Sequence, residues 1–354
     1  MVDEAGENDD VTENDGAAED GGAAEDDGMT AGRGPAPEVE AARAALVAVR
    51  TEVGKAVVGQ EGAVTGMIIA LLTGGHVLLE GVPGVAKTLL VRSLSRTMRL
   101  ATTRIQFTPD LMPGDVTGSL VYDTSAGGFS FREGPVFTNL LLADEINRTP
   151  PKTQSALLEA MEERQVSVDG VSRPLPEPFL VAATQNPIEF EGTYTLPEAQ
   201  LDRFLLKLTL EMPERDDEVE VLRRHDAGFD PRDLAAAGVT PVIDAAGIAL
   251  ARRDVGTVHA GADVLGYLVD LARATRLSPS VQIGVSPRGS TALLAAAKAW
   301  AWLSGYRAVT PDHVQAMLPA VWRHRIRLRP EAELEGVRVD AVLRSIAQQV
   351  QVPL

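Results

Sequence analysis

The feature that most constrains the fold is a glycine-rich stretch at residues 81–88, GVPGVAKT. It follows a short apolar run, His76–Glu80, and precedes a segment whose pattern predicts a helix up to Met98. A strand, a glycine-rich turn and a helix in this order are the context in which G-x-x-x-x-G-K-[ST] binds phosphate. Backbone N–H groups would surround the phosphate oxygens, Lys87 would reach the β- and γ-phosphates, and Thr88 would bind Mg²⁺.

One position in this stretch departs from the motif. Ala86 occupies a place where the motif has glycine. Alanine is tolerated where φ is negative, as at the start of a helix, so we expect a negative φ here. The residues predicted to bind nucleotide in this stretch are Gly81, Pro83, Gly84, Val85, Ala86, Lys87, Thr88 and Leu89.

Polar side chains follow two further apolar runs. The run at residues 139–143 precedes Asp144 and Glu145, and the run at residues 179–183 precedes Asn186 after a short polar turn. Ligands bind where parallel strands have their carboxyl ends, so these side chains are predicted to meet there. Asp144 would support Mg²⁺ and Glu145 would act as the base that polarises the attacking water. Asn186 would reach the γ-phosphate or that water.

Two arginines are further catalytic candidates. Arg203 lies in the sequence LDRF and is predicted to project into a neighbouring subunit's nucleotide site, where it would stabilise transferring charge. Arg288 follows Ser286 and Pro287, which predict a helix start, and a cation there opposes the helix dipole. This indicates another task for Arg288, such as contact with phosphate. Apolar residues around Val58, Gly59 and Gln60 are predicted to flank an adenine.

Charge and composition exclude several classes of protein. The net charge is −17, yet residues 1–32 hold 12 acids and no base, so the rest of the chain carries only −5. Residues 1–36 have little to bury and are predicted to be a disordered acidic tail. The acidic field disfavours nucleic-acid binding, and the lack of cysteine excludes disulfides and thiolate chemistry. With no membrane-spanning stretch or signal-peptide pattern, we expect a cytoplasmic protein.

The order of the patterns predicts the architecture. Strand-like runs alternate with helices over residues 37–211, which is typical of a parallel sheet covered on both faces, an α/β class. Hairpins are predicted at residues 115–138 and 165–175, the second around Asp169-Gly170. Helical patterns dominate after Glu211, so residues 212–354 are predicted to form a second, α-helical domain.

Taken together, these motifs resemble those of the MoxR family of AAA+ ATPases over roughly residues 37–330. The stretches that carry the resemblance are VVGQE, LLEGVPGVAKT, RIQFTPDLMPGDVTG, FREGPVF, LLADEINRTPPKTQSALLEAMEERQV, ATQNP, LPEAQLDRF and SPRGS. The alanine at position 86 is usual in that family. The resemblance implies a P-loop AAA+ three-layer αβα domain with β-hairpin inserts and a small α-helical lid.

The same resemblance implies what the residues do. It matches Lys87 and Thr88 to the first nucleotide motif, Asp144 and Glu145 to the second, Asn186 to the polar sensor, Arg203 to the arginine finger and Arg288 to the lid sensor. It implies ATP and Mg²⁺ as ligands, a homo-oligomeric ring, commonly a hexamer, and chaperone-like remodelling. The usual protein clients of such rings contain a von Willebrand factor A domain.

Several alternatives stay open at this point. Arg148 competes with Arg203 as the arginine supplied to a neighbour. A magnesium-chelatase-like motor subunit shares the architecture. A nucleic-acid motor would need basic hairpins, but the two predicted hairpins contain only Arg132 and Arg173 as bases. A nucleotide-gated scaffold would not need a water-activating acid such as Glu145.

Overall fold

A computed structural model describes residues 36–125, 127–185 and 194–353. Most of the predicted acidic tail, residues 1–35, and the predicted sensor Asn186 lie outside the described residues. No helix in the described part of the chain is long and apolar enough to cross a membrane.

The first part of the chain alternates helices and strands as the sequence predicts. Its elements are α1 (Pro37–Gly54), α2 (Glu61–Thr73), β1 (Val77–Glu80), α3 (Lys87–Thr97), β2 (Thr102–Gln106), α4 (Pro113–Thr117), β3 (Gly118–Asp123), β4 (Gly128–Glu133), β5 (Leu140–Asp144), α5 (Pro151–Glu163), β6 (Gln165–Val168), β7 (Val171–Pro174), β8 (Leu180–Gln185), α6 (Glu198–Leu201) and β9 (Leu206–Thr209).

Five of these strands form one sheet in the order β2-β5-β8-β1-β9, and every pair in it is parallel. Alternate residues of a strand face opposite sides. In β5, Leu140 and Leu142 belong to the apolar cluster that contains α1, α2 and α3, whereas Leu141 and Ala143 belong to the cluster that contains α5. The sheet is therefore covered on both faces, which confirms the predicted α/β class.

Both predicted hairpins are present. Strands β3 and β4 pair antiparallel from Gly118↔Glu133 to Asp123↔Gly128. Strands β6 and β7 pair around Asp169 and Gly170, which both have positive φ. Strand β9 was not predicted, because four residues at the sheet edge give too short a pattern to distinguish from a loop.

The chain after Glu211 is mainly helical. Its elements are α7 (Arg215–Asp226), α8 (Ala245–Gly256), α9 (Ala262–Leu277), β10 (Val281–Ile283), α10 (Pro287–Leu303), α11 (Pro311–Trp322), β11 (Arg327–Leu328), α12 (Pro330–Leu334) and α13 (Val339–Gln349). Helices α8 and α10 pack against α1 and α2, and one apolar cluster includes residues from both parts of the chain. A division into separate domains at residue 211 stays a prediction.

A buried histidine ties β1, the strand that leads into the glycine-rich loop, to its neighbours. His76 Nδ1 accepts a hydrogen bond from the Val181 N–H of β8 at 3.0 Å, and its Nε2 donates to the Met161 carbonyl of α5 at 3.0 Å. This arrangement needs the neutral ring, because a protonated Nδ1 cannot accept. Burial, together with the nearby cations Arg164 and Arg252, lowers the pKa of His76 from 6.5 to about 4.

This shift predicts a pH dependence of stability. Because the pKa is lower in the folded protein, the unfolded chain binds more protons below pH 6.5, so stability falls as pH decreases. Between about pH 7.5 and about pH 5.5, the parent protein should lose about 1.3 kcal/mol more unfolding free energy than His76→Asn does. Urea unfolding at both pH values measures this difference, and equal losses in the two proteins would contradict the assignment.

Candidate nucleotide-binding site

The glycine-rich loop joins β1 to α3 with two residues of positive φ. Gly84 has a φ of 92° and Ala86, the N-cap of α3, has a φ of 59°. The expectation of a negative φ at Ala86 is therefore wrong. A left-handed conformation costs a non-glycine residue roughly 1–2 kcal/mol. Residues in the left-handed conformation occur in turns whose successive backbone N–H groups form an anion-binding concavity. The geometry of such a turn, and not the usual conformation of a helix start, therefore determines the φ of Ala86.

Lys87 is the first residue of α3, and its side chain bends back over the loop. Its Nζ donates a hydrogen bond to the Gly81 carbonyl at 2.6 Å. A Cβ at Gly81 would lie 2.7 Å from the Leu210 carbonyl oxygen, so this position has no room for a side chain. The start of the loop at Gly81 therefore lies close against the residue that follows β9, and the Lys87 ammonium lies beside the carbonyl of Gly81.

The two predicted acids lie at the carboxyl end of β5, held by contacts from both neighbouring strands. On the β8 side, the Glu145 N–H donates to Thr184 Oγ1 at 2.8 Å, and the Thr184 hydroxyl donates to Asp144 Oδ1 at 2.6 Å. On the β2 side, Arg104 Nη2 lies 2.7 Å from Asp144 Oδ2 and Gln106 Nε2 donates to Glu145 Oε2 at 2.6 Å.

Sequence reasoning missed Arg104 and Gln106. They are two residues apart on β2, so both lie on one side of the strand, and Gln106 is the register partner of Asp144. Two long polar side chains at alternate positions near the end of a predicted strand are the signal that would have found them. They connect β2, the edge strand beside β5, to the acids.

The loop and the acids line one cavity of about 750 Å³. Its polar end includes Lys87, Thr88, Asp144 and Glu145. Of the predicted nucleotide-binding residues, the cavity is lined by Val58, Gln60, Pro83, Gly84, Val85, Ala86, Lys87, Thr88, Leu89 and Asp144. Gly59 and Gly81 are not among the lining residues. Gly59 has a φ of 73°, and a Cβ there would lie 2.7 Å from a side-chain oxygen of Asp217, so the backbone at this position lies close to α7.

The apolar end of the cavity was only partly predicted. Besides Val57 and Val58, it is lined by α7 and by the loops before and after it, through Pro213, Val221, Leu222, Phe229 and Pro231. Arg224 of α7 donates to the carbonyls of Gly54 and Lys55 at 2.8 and 2.9 Å, which holds α7 beside the end of α1. Flat apolar walls of this kind suit a nucleotide base.

The two predicted arginines lie elsewhere. Neither Arg203 nor Arg288 lines the cavity. Both pair with Glu162 of α5: Arg203 Nε lies 3.0 Å from Oε2, and Arg288 Nη2 lies 3.4 Å from Oε1. Arg288 Nε also lies 3.8 Å from Asp202 Oδ2, and its side chain is 54% exposed. The structure thus brings the two arginines together with each other, but not with their own chain's phosphate loop.

The competing arginine has a different environment. Arg148 Nε lies 3.1 Å from Glu145 Oε2 of the same chain. Among the described residues, no group of three or more His, Asp or Glu side chains is placed to hold a metal ion. Thr88 and Asp144, the two side chains predicted to hold a metal, both line the cavity, and Mg²⁺ is commonly bound by one or two protein oxygens together with substrate phosphates.

Comparison with known proteins assigns the family. A model described as the ATPase family associated with various cellular activities (AAA) matches residues 76–206, and an AAA lid domain model matches residues 273–346. The YeaC protein of Bacillus subtilis is 49% identical over 81% of this chain and 88% of its own length. The chaperone MoxR1 of Mycobacterium tuberculosis is 42% identical over 85% of this chain and 81% of its own. This chain belongs to the MoxR family of AAA+ ATPases.

A solved structure supports the same fold for this MoxR-family protein. The crystal structure of a presumed ATPase from Cytophaga hutchinsonii has a TM-score of 0.82 and 39% identity, and the match covers 90% of this chain and 97% of that one. The fold is thus an α/β AAA+ fold with a helical lid, and the protein is a nucleotide-binding ATPase.

The apolar wall gives a prediction for nucleotide binding. Replacing Phe229 by alanine should raise the KM for ATP about tenfold, because a lost partly buried ring contact of this size is worth about 1.4 kcal/mol. The kcat should change little, since a contact that binds the base equally before and during hydrolysis affects KM alone. Steady-state ATP turnover measures both. Leu277→Ala, at a side chain that is 79% exposed at the end of α9, is the matched control. An unchanged KM would mean that the base binds elsewhere.

Proposed function

We propose that this protein is a Mg²⁺-dependent ATPase that works as a closed ring, hexameric as is usual for such proteins, and remodels a protein client. The observation that carries this proposal is the separation of two sets of residues. Lys87, Thr88, Asp144 and Glu145 share one cavity, whereas Arg203 and Arg288 meet at Glu162, outside it. A site that needs these arginines is completed by a second copy of the chain.

Within one subunit, the proposed roles follow from position. The loop amides and Lys87 would bind the phosphates, with the adenine against Val58 and Phe229. Thr88 and Asp144 offer the hard oxygen ligands that suit Mg²⁺, which when bound would neutralise charge on the phosphate oxygens. Arg104 contacts Asp144 Oδ2, so this ion pair would have to adjust when the metal binds.

Hydrolysis itself is assigned to Glu145 as the base. It would accept a proton from a water whose oxygen attacks the γ-phosphorus, and ADP would leave. Gln106 and Arg148 both contact Oε2 of Glu145, so we assign Oε1 to the attacking water. Asn186, outside the described residues, would contact the γ-phosphate or this water. Thr184 keeps Glu145 in place through the backbone N–H.

Arg203 is the better candidate for the arginine supplied to a neighbour. Arg148 is paired with Glu145, the base of its own site, whereas Arg203 is paired with Glu162. Arg288, which shares Glu162, would act beside Arg203 on the same neighbouring nucleotide. Glu162 holds the two cations together before a γ-phosphate takes its place as their partner.

The surface of the longer hairpin supports a protein client. Tyr122 and Phe129 are cross-strand partners with ring centroids 5.3 Å apart, and they are 53% and 72% exposed. Asp123 and Glu133 accompany them, which disfavours nucleic acid. The similarity to a chaperone supports a protein client. The client that we propose contains a von Willebrand factor A domain, as the resemblance to the MoxR family implies, and the proposed location is the cytoplasm.

This assignment predicts the behaviour of arginine variants. Arg203→Ala and Arg288→Ala should each lower kcat at least about a hundredfold with little change in KM, because an arginine supplied by a neighbour contributes roughly 10³–10⁵ to such reactions. Arg327→Ala, at an exposed arginine that pairs with Glu198, is the control and should retain turnover.

Mixing identifies the subunit that supplies the arginine. Glu145→Gln chains cannot hydrolyse ATP but still carry Arg203, so they should restore turnover to Arg203→Ala chains. With random mixing of equal amounts in a closed ring, about a quarter of the chains would have a working site. Failure to recover turnover, with intact assembly of both variants, would contradict the role of Arg203 in a neighbour's site.

A further inference from the structure

A buried arginine of the C-terminal helical part lies under the two exposed ones. Arg325 follows α11, and its side chain is only 4% exposed. Burying a charge is expensive unless it is paired and hydrogen-bonded. Burial lowers the pKa of the Arg325 guanidinium, and the carboxylate of Asp202 opposes that shift.

The guanidinium has an acceptor for each of its five N–H groups, and most lie on the segment that carries Arg203. Nε donates to Asp202 Oδ1 at 2.6 Å. Nη2 donates to the carbonyls of Asp202 and Phe204 at 3.2 and 2.7 Å. Nη1 donates to the Leu205 carbonyl at 3.1 Å and to the Val321 carbonyl. The acceptors at positions 202, 204 and 205 lie on both sides of Arg203 in the chain.

The same side chain touches the helix that carries Arg288. A Cβ at Gly289 would lie 3.1 Å from Arg325 Cδ, so the first turn of α10 packs directly against the arginine. Trp322, three residues before Arg325, donates its indole N–H to the Gly289 carbonyl at 2.9 Å. Arg288 precedes Gly289, so its backbone is fixed by the same end of α11.

Asp202 completes the connection between these residues. Its Oδ1 accepts from Arg325 Nε, and its Oδ2 lies 3.8 Å from Arg288 Nε. On the other side, Glu162 joins Arg288 to Arg203. Two carboxylates and three arginines therefore form one continuous network of ion pairs, and Arg325 is the buried member at one end of it.

We propose that Arg325 is a positioning residue that holds Arg203 and Arg288 as one rigid pair for the neighbouring subunit's nucleotide. This inference rests on the proposed function, in which those two arginines act on a neighbour. Arg325 itself lines no part of the nucleotide cavity and contacts no reacting atom. A guanidinium is required because a lysine ammonium has three donors and cannot reach acceptors in five directions in one plane.

The test mixes two kinds of full-length chain. The donor chain cannot hydrolyse ATP and supplies its arginines to the site of a neighbouring acceptor chain. The donor carries Glu145→Gln, which disables its own hydrolysis, and the acceptor carries Arg203→Ala. Donors with Glu145→Gln alone, with added Arg325→Lys, and with added Arg327→Gln are each mixed with the acceptor. Arg327 is the matched control, because it follows Arg325 by two residues but is exposed and pairs with Glu198.

The inference predicts that the Arg325→Lys donor restores at least about tenfold less turnover than the parent donor, because lysine cannot replace the guanidinium contacts. The Arg327→Gln donor should restore as much as the parent. Each donor should bind a fluorescent ATP analogue and assemble to the same mass as the parent, which separates positioning from general loss of structure. Full recovery with the Arg325→Lys donor would overturn the inference.

If that donor does not fold or assemble, Asp202→Asn in the Glu145→Gln background decides instead. This change removes the carboxylate between Arg325 and Arg288 at a partly exposed side chain. If this donor restores several-fold less ATP turnover than the parent donor, the inference is supported. If it restores as much as the parent donor, the inference is overturned. If the parent donor restores nothing, the action of Arg203 on a neighbour fails first, and the inference fails with it.

Discussion

The parallel pairing of β5 with β2 and β8 is the constraint on which the site depends. It places the carboxyl ends of three strands together, so Asp144 and Glu145 receive contacts from Arg104 and Gln106 on one side and from Thr184 on the other. One strand further along, β1 leads into the glycine-rich loop beside the same edge. The register of the sheet therefore fixes the places of the two acids, and the loop after β1 brings Lys87 and Thr88 to the same cavity.

The helical part of the chain completes the molecule in two different ways. Helix α7 closes the apolar end of the cavity and is held there by Arg224, whose acceptors are the carbonyls of Gly54 and Lys55. The ends of α11 and α10 meet the segment 202–205 on another side, through Arg325. In the proposed function, the first set of contacts serves the subunit's own nucleotide and the second set serves the nucleotide of the next subunit.

The sequence predicted the parts of the site whose signals are local. The loop at residues 81–88 and the acids after β5 lie at junctions between strand and turn, where a dozen neighbouring residues carry the pattern. The prediction of a negative φ at Ala86 was wrong, because it considered only the start of the helix and not the geometry of the glycine-rich loop. The contacts of Arg325 were not predictable, since its acceptors at Asp202 and the residues after it lie more than a hundred residues away in the sequence. The place of Phe229 in the cavity was not predictable either, since it lies more than a hundred residues after the glycine-rich loop.

The most direct test of the account is ATP turnover per chain as a function of protein concentration, measured together with particle mass and with Glu145→Gln as the blank. If a neighbour completes each site, turnover per chain rises steeply with concentration, in parallel with the fraction of assembled rings, and is absent in the blank. Constant turnover per chain, at concentrations where the particle mass is that of one 37.6 kDa chain, would contradict the account.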